Sequence, residues 1–359
     1  MWLFILLTQA LALSTTLILG WLLRPQQTFS KVILTIVIFA LSNAVLFYGL
    51  SEFWRERFRI YLIFSILQGF MVYAALIVGA FSLLYCQVLK RKSRPKLVRL
   101  LAVTTYIGIV GLAVFNGYSP VVKRLTVTVD KPLAAPMTLV LVSDTHWGKW
   151  FGNRQIDKLV GLIDSEQVDA VVLAGDIMDD TTIYYDKTGM AAHFAKLQAP
   201  LGVYAVLGNH DYLGYEEKIA QAVTEAGIKV LDNQSVLLAD KVWLVGRSDD
   251  LDRTRLSAAD LLQPLNSDKP IIFLEHRPST IPEISALPID LHLSGHTHGG
   301  QIFPLTTLMH WFSPLAYGTK TVNDTQFLVS SGFGIGSVPF RLGTRSEIWI
   351  VTLVSADAE

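Results

Sequence analysis

Five short stretches of the chain combine carboxylate or amide oxygens with imidazole nitrogens at spacings suited to holding a cation. They are Asp144-Thr145-His146, Gly175-Asp176-Ile177-Met178-Asp179, Gly208-Asn209-His210-Asp211, Glu275-His276-Arg277-Pro278 and Gly295-His296-Thr297-His298-Gly299-Gly300. An Asp and a His one residue apart at the end of a strand point to one side and can share one ion. Asp-x-His triplets are common by chance, so this pair gains its weight from the four stretches that follow. The glycines ahead of the polar residues permit tight turns and close approach of the backbone. The single cysteine, Cys86, lies in an apolar run. That excludes intramolecular disulfides and Cys-based zinc sites while leaving the compartment open.

Each stretch must be positioned by the apolar run before it. Runs at 137–142, 169–174, 201–207, 270–274 and 290–294 read as strands, and each ends at one of the five stretches. Amphipathic helices are expected at 153–165, 189–198 and 215–226, with further strands near 241–246, 326–330 and 346–353. Alternating strands and helices imply a largely parallel sheet early on. The strand-rich later half implies a second sheet packed on it. In open sheets of this kind the working groups gather past the carboxyl ends of the strands.

The ordered set D-x-H, G-D-x-x-D, G-N-H-D, a lone His after a strand, and G-H-x-H resembles that of the calcineurin-like metallophosphoesterases. The resemblance covers about 220 residues, from Met137 to the end. Any one member is weak, whereas all five in order at strand ends are specific. With an apolar region ahead of it, the chain resembles the membrane-anchored bacterial phosphodiesterases of the YaeI and YkuE types and the transmembrane metallophosphoesterases. The resemblance implies an α/β/β/α sandwich, two packed mixed sheets flanked by helices. It assigns one metal ion to Asp144, His146, Asp176 and His298, and a second to Asp176, Asn209, His276 and His296. A shared carboxylate of this kind lets two divalent ions sit roughly 3.5–4 Å apart. Mixed nitrogen and oxygen ligation suits Mn, Fe, Zn or Co better than Ca, and no organic cofactor is expected. The implied reaction is hydrolysis of a phosphodiester by in-line attack of a metal-bridging hydroxide. His210 would then donate a proton to the leaving alkoxide or orient the phosphate.

Other residues have two readings each. Asp211 either fixes the tautomer of His210 or caps the following helix. Asp179 either hydrogen-bonds a ligand histidine or is a plain surface carboxylate. Arg277 and Arg341 either bind a substrate phosphate through a forked guanidinium or form structural pairs. His193, His292 and His310 read as structural or surface histidines. The run Ser331-Gly-Phe-Gly-Ile-Gly336 lacks the helix that a dinucleotide fingerprint needs, and it reads as a loop lining the site. Trp147, Trp150 and Phe151 read as core packing by default.

The first third of the chain is different. At 51% hydrophobic residues and a mean hydropathy of +0.42, a chain of 359 residues should place some of its length in lipid. Residues 1–120 hold 11 Lys+Arg against 2 Asp+Glu, the rest 19 against 28, and all eight histidines lie beyond residue 145. A basic, apolar first part suits anionic headgroups, and an acidic remainder argues against nucleic acid. Apolar segments at 2–23, 32–50, 60–89 and 97–118 are each long enough to cross the hydrocarbon. The expected organisation is therefore a four-helix transmembrane region over 1–118, a connector over 119–136 that contains a short alternating strand at 125–129, and the catalytic domain over 137–359. The interiors of the spans offer only neutral polar residues such as Gln9, Asn43 and Gln68. They read as an anchor, with a lipid-binding groove as the alternative. Arg24, Lys31, Lys90, Arg91, Lys92, Arg94, Lys96 and Arg99 outnumber the opposing Arg55, Arg57, Arg59, Lys123, Arg124 and Lys131 by eight to six. This places the catalytic domain outside the cytoplasm of a bacterial inner membrane. A membrane lipid or a cell-envelope phosphodiester is the expected substrate. The rivals are a lipid pyrophosphatase like the UDP-2,3-diacylglucosamine hydrolases, which favours a cytoplasmic site, and a non-catalytic membrane scaffold.

Overall fold

The computed structural model describes residues 2–48, 55–213, 215–278 and 281–356. Contacts divide the chain into two compact units, Met1–Phe115 with Ser337–Pro339, and Asn116–Gly336 with Phe340–Glu359. The first is built from helices α1 (Trp2–Leu23), α2 (Thr28–Tyr48), α3 (Arg55–Gln87) and α4 (Pro95–Tyr118). Proline stands only where a helix can accept it, at Pro25 between α1 and α2 and at the first position of α4. Helices α1, α3 over Arg59–Gln87, and α4 are long and apolar enough to cross a membrane, whereas the apolar stretch of α2, Thr28–Ala44, is shorter. The second segment expected at 32–50 runs beyond the described residues. The neutral polar side chains inside the bundle bond to one another across helices. Asn43 Nδ2 donates to Gln9 Oε1 at 3.3 Å and Gln68 Nε2 to Ser42 Oγ at 2.8 Å, which is how polar groups join helices in lipid.

The second unit alternates strands and helices as the sequence implies: β1 (Val121–Val129), β2 (Met137–Val142), α5 (Asn153–Asp164), β3 (Ala170–Ala174), α6 (Ile183–Lys187) and α7 (Met190–Phe194). Then come β4 (Val203–Val206), α8 (Asn209–Leu213), α9 (Glu216–Glu225), β5 (Lys229–Val230), β6 (Gln234–Leu238) and β7 (Val242–Gly246). The chain closes with α10 (Ala258–Leu262), β8 (Ile271–Leu274), α11 (Ile281–Ile284), β9 (Leu291–Ser294), α12 (Leu305–Phe312), β10 (Gly318–Val322), β11 (Thr325–Val329) and β12 (Glu347–Ser355).

Two six-stranded sheets result, ordered β1-β12-β2-β3-β4-β5 and β10-β11-β9-β8-β7-β6. The strands that carry the polar stretches, β2-β3-β4 in one sheet and β8-β9 in the other, are parallel, so their carboxyl ends lie on one edge of each sheet. Period-two alternation in β2 sends Leu139 and Leu141 between the sheets, against Leu244, Ile272, Leu274, Leu291 and Leu293. Val140 and Val142 face the other way, onto α5, α7 and α9. Helices α10 and α11 cover the outer face of the second sheet. The strand expected at 125–129 within the connector starts earlier, because β1 pairs along all nine of its residues with β12, 226 positions later at Val121↔Glu347. The short helices α6, α8, α10, α11 and α12 follow from turns and packing too local for periodicity to reveal.

Leu141 is fully buried between the sheets. Leu141→Ala is therefore expected to cost about 2–5 kcal/mol, read as a lowered unfolding midpoint of the detergent-solubilised protein. A midpoint unchanged from wild type would contradict this core.

Candidate metal centre

The turns that leave β2, β3 and β9 place their polar residues in the left-handed backbone region: φ is 50° at Asp144, 46° at His146, 50° at Asp176, 70° at His296 and 49° at His298. Non-glycine residues adopt this conformation at a cost of about 1–2 kcal/mol each, and they do so where the surroundings over-determine them. Here the surroundings are backbone hydrogen bonds between the two turns. Asp144 N donates to Gly175 O and His146 N to Asp176 O, both at 3.0 Å. Glycine is required beside them. A Cβ on Gly208 would lie 2.3 Å from Asp176 Oδ1, and one on Gly295 would lie 2.3 Å from Asp144 Oδ2.

All seven residues assigned as ligands are brought together. Asp144, His146 and His298 form one cluster and Asp176, His276 and His296 another, with the candidate ligand atoms of each cluster within 4.8 Å of one another. His146 Nε2 faces His298 Nε2 at 3.2 Å. The Asp176 carboxylate stands between the clusters, its Oδ2 3.8 Å from His146 Nε2 and 3.2 Å from His276 Nε2. Asn209 Oδ1 and His296 Nδ1 lie 3.1 and 3.2 Å from His276 Nε2.

The donor set fits a cation. His276 Nδ1 bonds to the carbonyl of Ala174 at 2.8 Å, and a carbonyl can only accept, so this nitrogen holds the ring proton. In the neutral ring Nε2 is then a bare lone pair facing two oxygens and another ring nitrogen, an arrangement that needs a positive charge at its centre. The titration tendencies agree. Burial holds His146 down to about 4 and His296 down to about 3. Burial, with the Arg341 charge adding to it, keeps His298 well below its ordinary value. Three rings therefore offer neutral nitrogens at physiological pH, as ligation requires. His276 is the exception. Burial opposes its charge, but the Asp176 carboxylate beside it overrides burial and raises the ring to about 10.

His210 follows Asn209 on α8, and its ring meets that of His146 edge-on with centroids 4.9 Å apart. Its Nδ1 bonds to Asp180 Oδ1 at 2.7 Å, and the side chain is 27% exposed. Burial alone would lower its pKa, but the Asp180 bond and the Asp176 charge raise it to about 9. Asp180 is the partner that sequence reasoning missed; the only trace of it is the doubled acid, Asp179-Asp180. Asp211 does neither of the things expected of it. Its fully buried carboxylate accepts from Ile177 N, Met178 N and Gly208 N at 2.9–3.1 Å, tying the β4 turn to the β3 turn. Asp179 lies 3.8 Å from His146 Nδ1, on the side of the ring away from His298.

Of the two readings open for Arg277 and Arg341, the contacts are those of structural pairs. Arg277 forks onto Asp249 through Nε at 2.8 Å and Nη2 at 3.0 Å. Arg341 is fully buried, donates to the carbonyls of Gly332 and Gly334, and places Nη2 3.2 Å from His298 Nδ1. The glycine-rich loop lines the site as expected: a Cβ on Gly336 would lie 2.9 Å from His298 Nε2. Trp147 and Phe151 are core residues. His193 pairs with Asp157, His292 with Glu275, and His310 Nδ1 with the carbonyl of Thr306.

Residues 137–300 match the family described as calcineurin-like phosphoesterase. A Bos taurus protein named transmembrane protein with metallophosphoesterase domain is 32% identical over 286 residues, which cover 73% of this chain and 63% of the relative. A Helicobacter pylori (strain ATCC 700392 / 26695) protein described as an uncharacterized metallophosphoesterase is 30% identical over 272 residues, covering 74% of this chain and 72% of the relative. The Bacillus subtilis (strain 168) metallophosphoesterase YkuE is 28% identical over 232 residues, with 61% and 79% covered. The chain thus spans 63% of the bovine relative's length.

Asp211→Ala would strip three buried N–H groups of their acceptor, and a loss of about 3 kcal/mol or more is expected. Asp211→Asn keeps an acceptor oxygen and should lose less. Thermal unfolding in detergent separates the three proteins, and equal midpoints would refute the tie between the two turns.

Proposed function

Because this chain belongs to the calcineurin-like metallophosphoesterases, we propose that it is a membrane-anchored phosphodiesterase working with two divalent ions. The observation that carries this reading is the convergence of six candidate ligands in two clusters, with Asn209 Oδ1 3.1 Å from His276 Nε2 and the Asp176 carboxylate facing His146 of one cluster and His276 of the other. Asp144, His146, Asp176 and His298 would hold one ion, and Asp176, Asn209, His276 and His296 the other. Bound there, divalent ions neutralise charge on the phosphoryl oxygens and lower the pKa of water.

The chain's own groups do the rest. Asp180 anchors His210 through Nδ1 and so aims the opposite edge of the ring. From that position His210 gives a proton to the departing alkoxide. The left-handed turns hold the ligands in place before substrate arrives, so little reorganisation remains for the reaction itself. A diester is favoured over a monoester because the extra negative charge of a monoester calls for a further cation, and both candidate arginines are committed to Asp249 and to the glycine-loop carbonyls. An amphiphilic substrate, a membrane lipid or an envelope component, fits the exposed Leu305, Trp311 and Phe312 of α12, which follows His298 closely.

We place all four helices across the membrane, since α2 with 21 residues measures about 31 Å at 1.5 Å per residue. The excess of basic residues in the α1–α2 and α3–α4 connections supports a catalytic unit outside the cytoplasm of a bacterial inner membrane.

Purified protein supplied with Mn²⁺ should hydrolyse bis(p-nitrophenyl) phosphate faster than p-nitrophenyl phosphate, and a chelator should abolish the activity. His210→Ala is expected to lower kcat by about 10²–10⁴, and Asp176→Ala by at least as much. Wild-type protein inert with Mn, Fe, Zn and Co would sink the enzymatic reading. For topology, a C-terminal alkaline phosphatase fusion should be active in cells and a green fluorescent protein fusion dark. The reverse pattern would place the site in the cytoplasm and favour the lipid pyrophosphatase.

A further inference from the structure

The first unit carries a feature that an anchor does not need. Between α3 and α4 lies a groove of about 590 Å³, walled by Phe81 and Tyr85 on one helix and Leu97 and Leu101 on the other, with Arg94 at its loop end. The wall side chains are open rather than packed, with Phe81 67% and Leu101 46% exposed. Along α4 the lining runs from Arg94 to Thr105, about 17 Å at 1.5 Å per residue. That is about half of the roughly 30 Å hydrocarbon core, the depth of one leaflet.

The end of the bundle where the groove opens is strongly basic, and among the described residues no ion pair is formed by the cations there. Arg24, Lys31, Lys90, Arg91, Lys92, Arg94, Lys96 and Arg99 lie at or near the α1–α2 and α3–α4 connections. The acidic residues before Asp130 are Glu52 and Glu56, which in the sequence neighbour Arg55, Arg57 and Arg59 and lie more than 30 residues from the α3–α4 connection. Arg99 lies over the Trp21 ring at 5.2 Å and its Nε is buried with no hydrogen-bond partner. A second cavity at the same end, about 470 Å³, is lined by Arg24, Gln26 and Lys31. Cations gathered at the interface without acids require anions from elsewhere, and phosphate headgroups are the anions a membrane offers.

We propose that the α3–α4 groove is a binding site for an anionic glycerophospholipid. One acyl chain lies between Phe81, Tyr85, Leu97 and Leu101, and the headgroup phosphate is held by Arg94 and its basic neighbours. Groove length and charge select the same ligand: a single-leaflet chain joined to a negative head.

The test uses the full chain in a neutral detergent, with native mass spectrometry reading bound lipid after addition of dioleoyl phosphatidylglycerol or dioleoyl phosphatidylcholine. Wild type should retain phosphatidylglycerol in preference. Arg94→Gln should weaken that binding by about fivefold, the expectation for one interfacial cation, and Arg94→Lys should restore most of it. Leu101→Trp, which fills the groove, should weaken binding of both lipids, and glycerol phosphate, lacking chains, should displace neither. Equal retention of the two lipids by wild type would overturn the proposal whether or not the variants fold. So would displacement by glycerol phosphate, or phosphatidylglycerol binding unchanged in both Arg94→Gln and Leu101→Trp.

Discussion

The Asp176 carboxylate is the group on which the second unit closes. Its Oδ1 accepts from His210 N at 2.8 Å, and its Oδ2 faces His276 and His146. It is 2% exposed. Burial works to raise its pKa, but the surrounding imidazoles, His276 first, hold it well below the usual carboxylate range. A buried charge of this kind persists only if it is paired. The neighbours that pair it come from β2, β4, β8 and β9, so both sheets must be assembled before it is satisfied. That need explains the missing Cβ atoms at Gly208 and Gly295, and the strained φ values at five of the seven ligands.

The same crowding settles what surrounds the ligands. Asp211 supplies no chemistry at His210; it supplies the acceptors that lock two turns together. Arg341 likewise serves the glycine-rich loop, drawing two of its carbonyls onto one guanidinium and seating it under Asp144 and His298. A polar group that is buried so deeply must have its partners made within the protein. The residues around the site are thus constrained about as tightly as the site itself.

The helical unit follows a different rule. Its interior polar atoms bond to one another, whereas the cations at one of its ends have no acids nearby in the sequence. In water such charges would be solvated singly. At a membrane surface they meet a layer of phosphates, so charge balance there involves the lipid as well as the protein.

The sequence by itself determined the five strand ends and the ligand types they carry, because an apolar run and the polar turn that ends it are adjacent in the chain. It likewise determined the long apolar helices, whose length and composition are local properties. It did not determine that Asp180 rather than Asp211 holds His210, that Arg277 pairs with Asp249, or that Arg341 reaches His298 from 43 residues away. Nor did it reveal that β1 closes the first sheet beside β12. Those are choices among several chemically equivalent partners. A carboxylate one residue along the chain and one thirty residues away are equally good acceptors until the fold brings one of them within 3 Å, and only the packing of the two sheets made that selection.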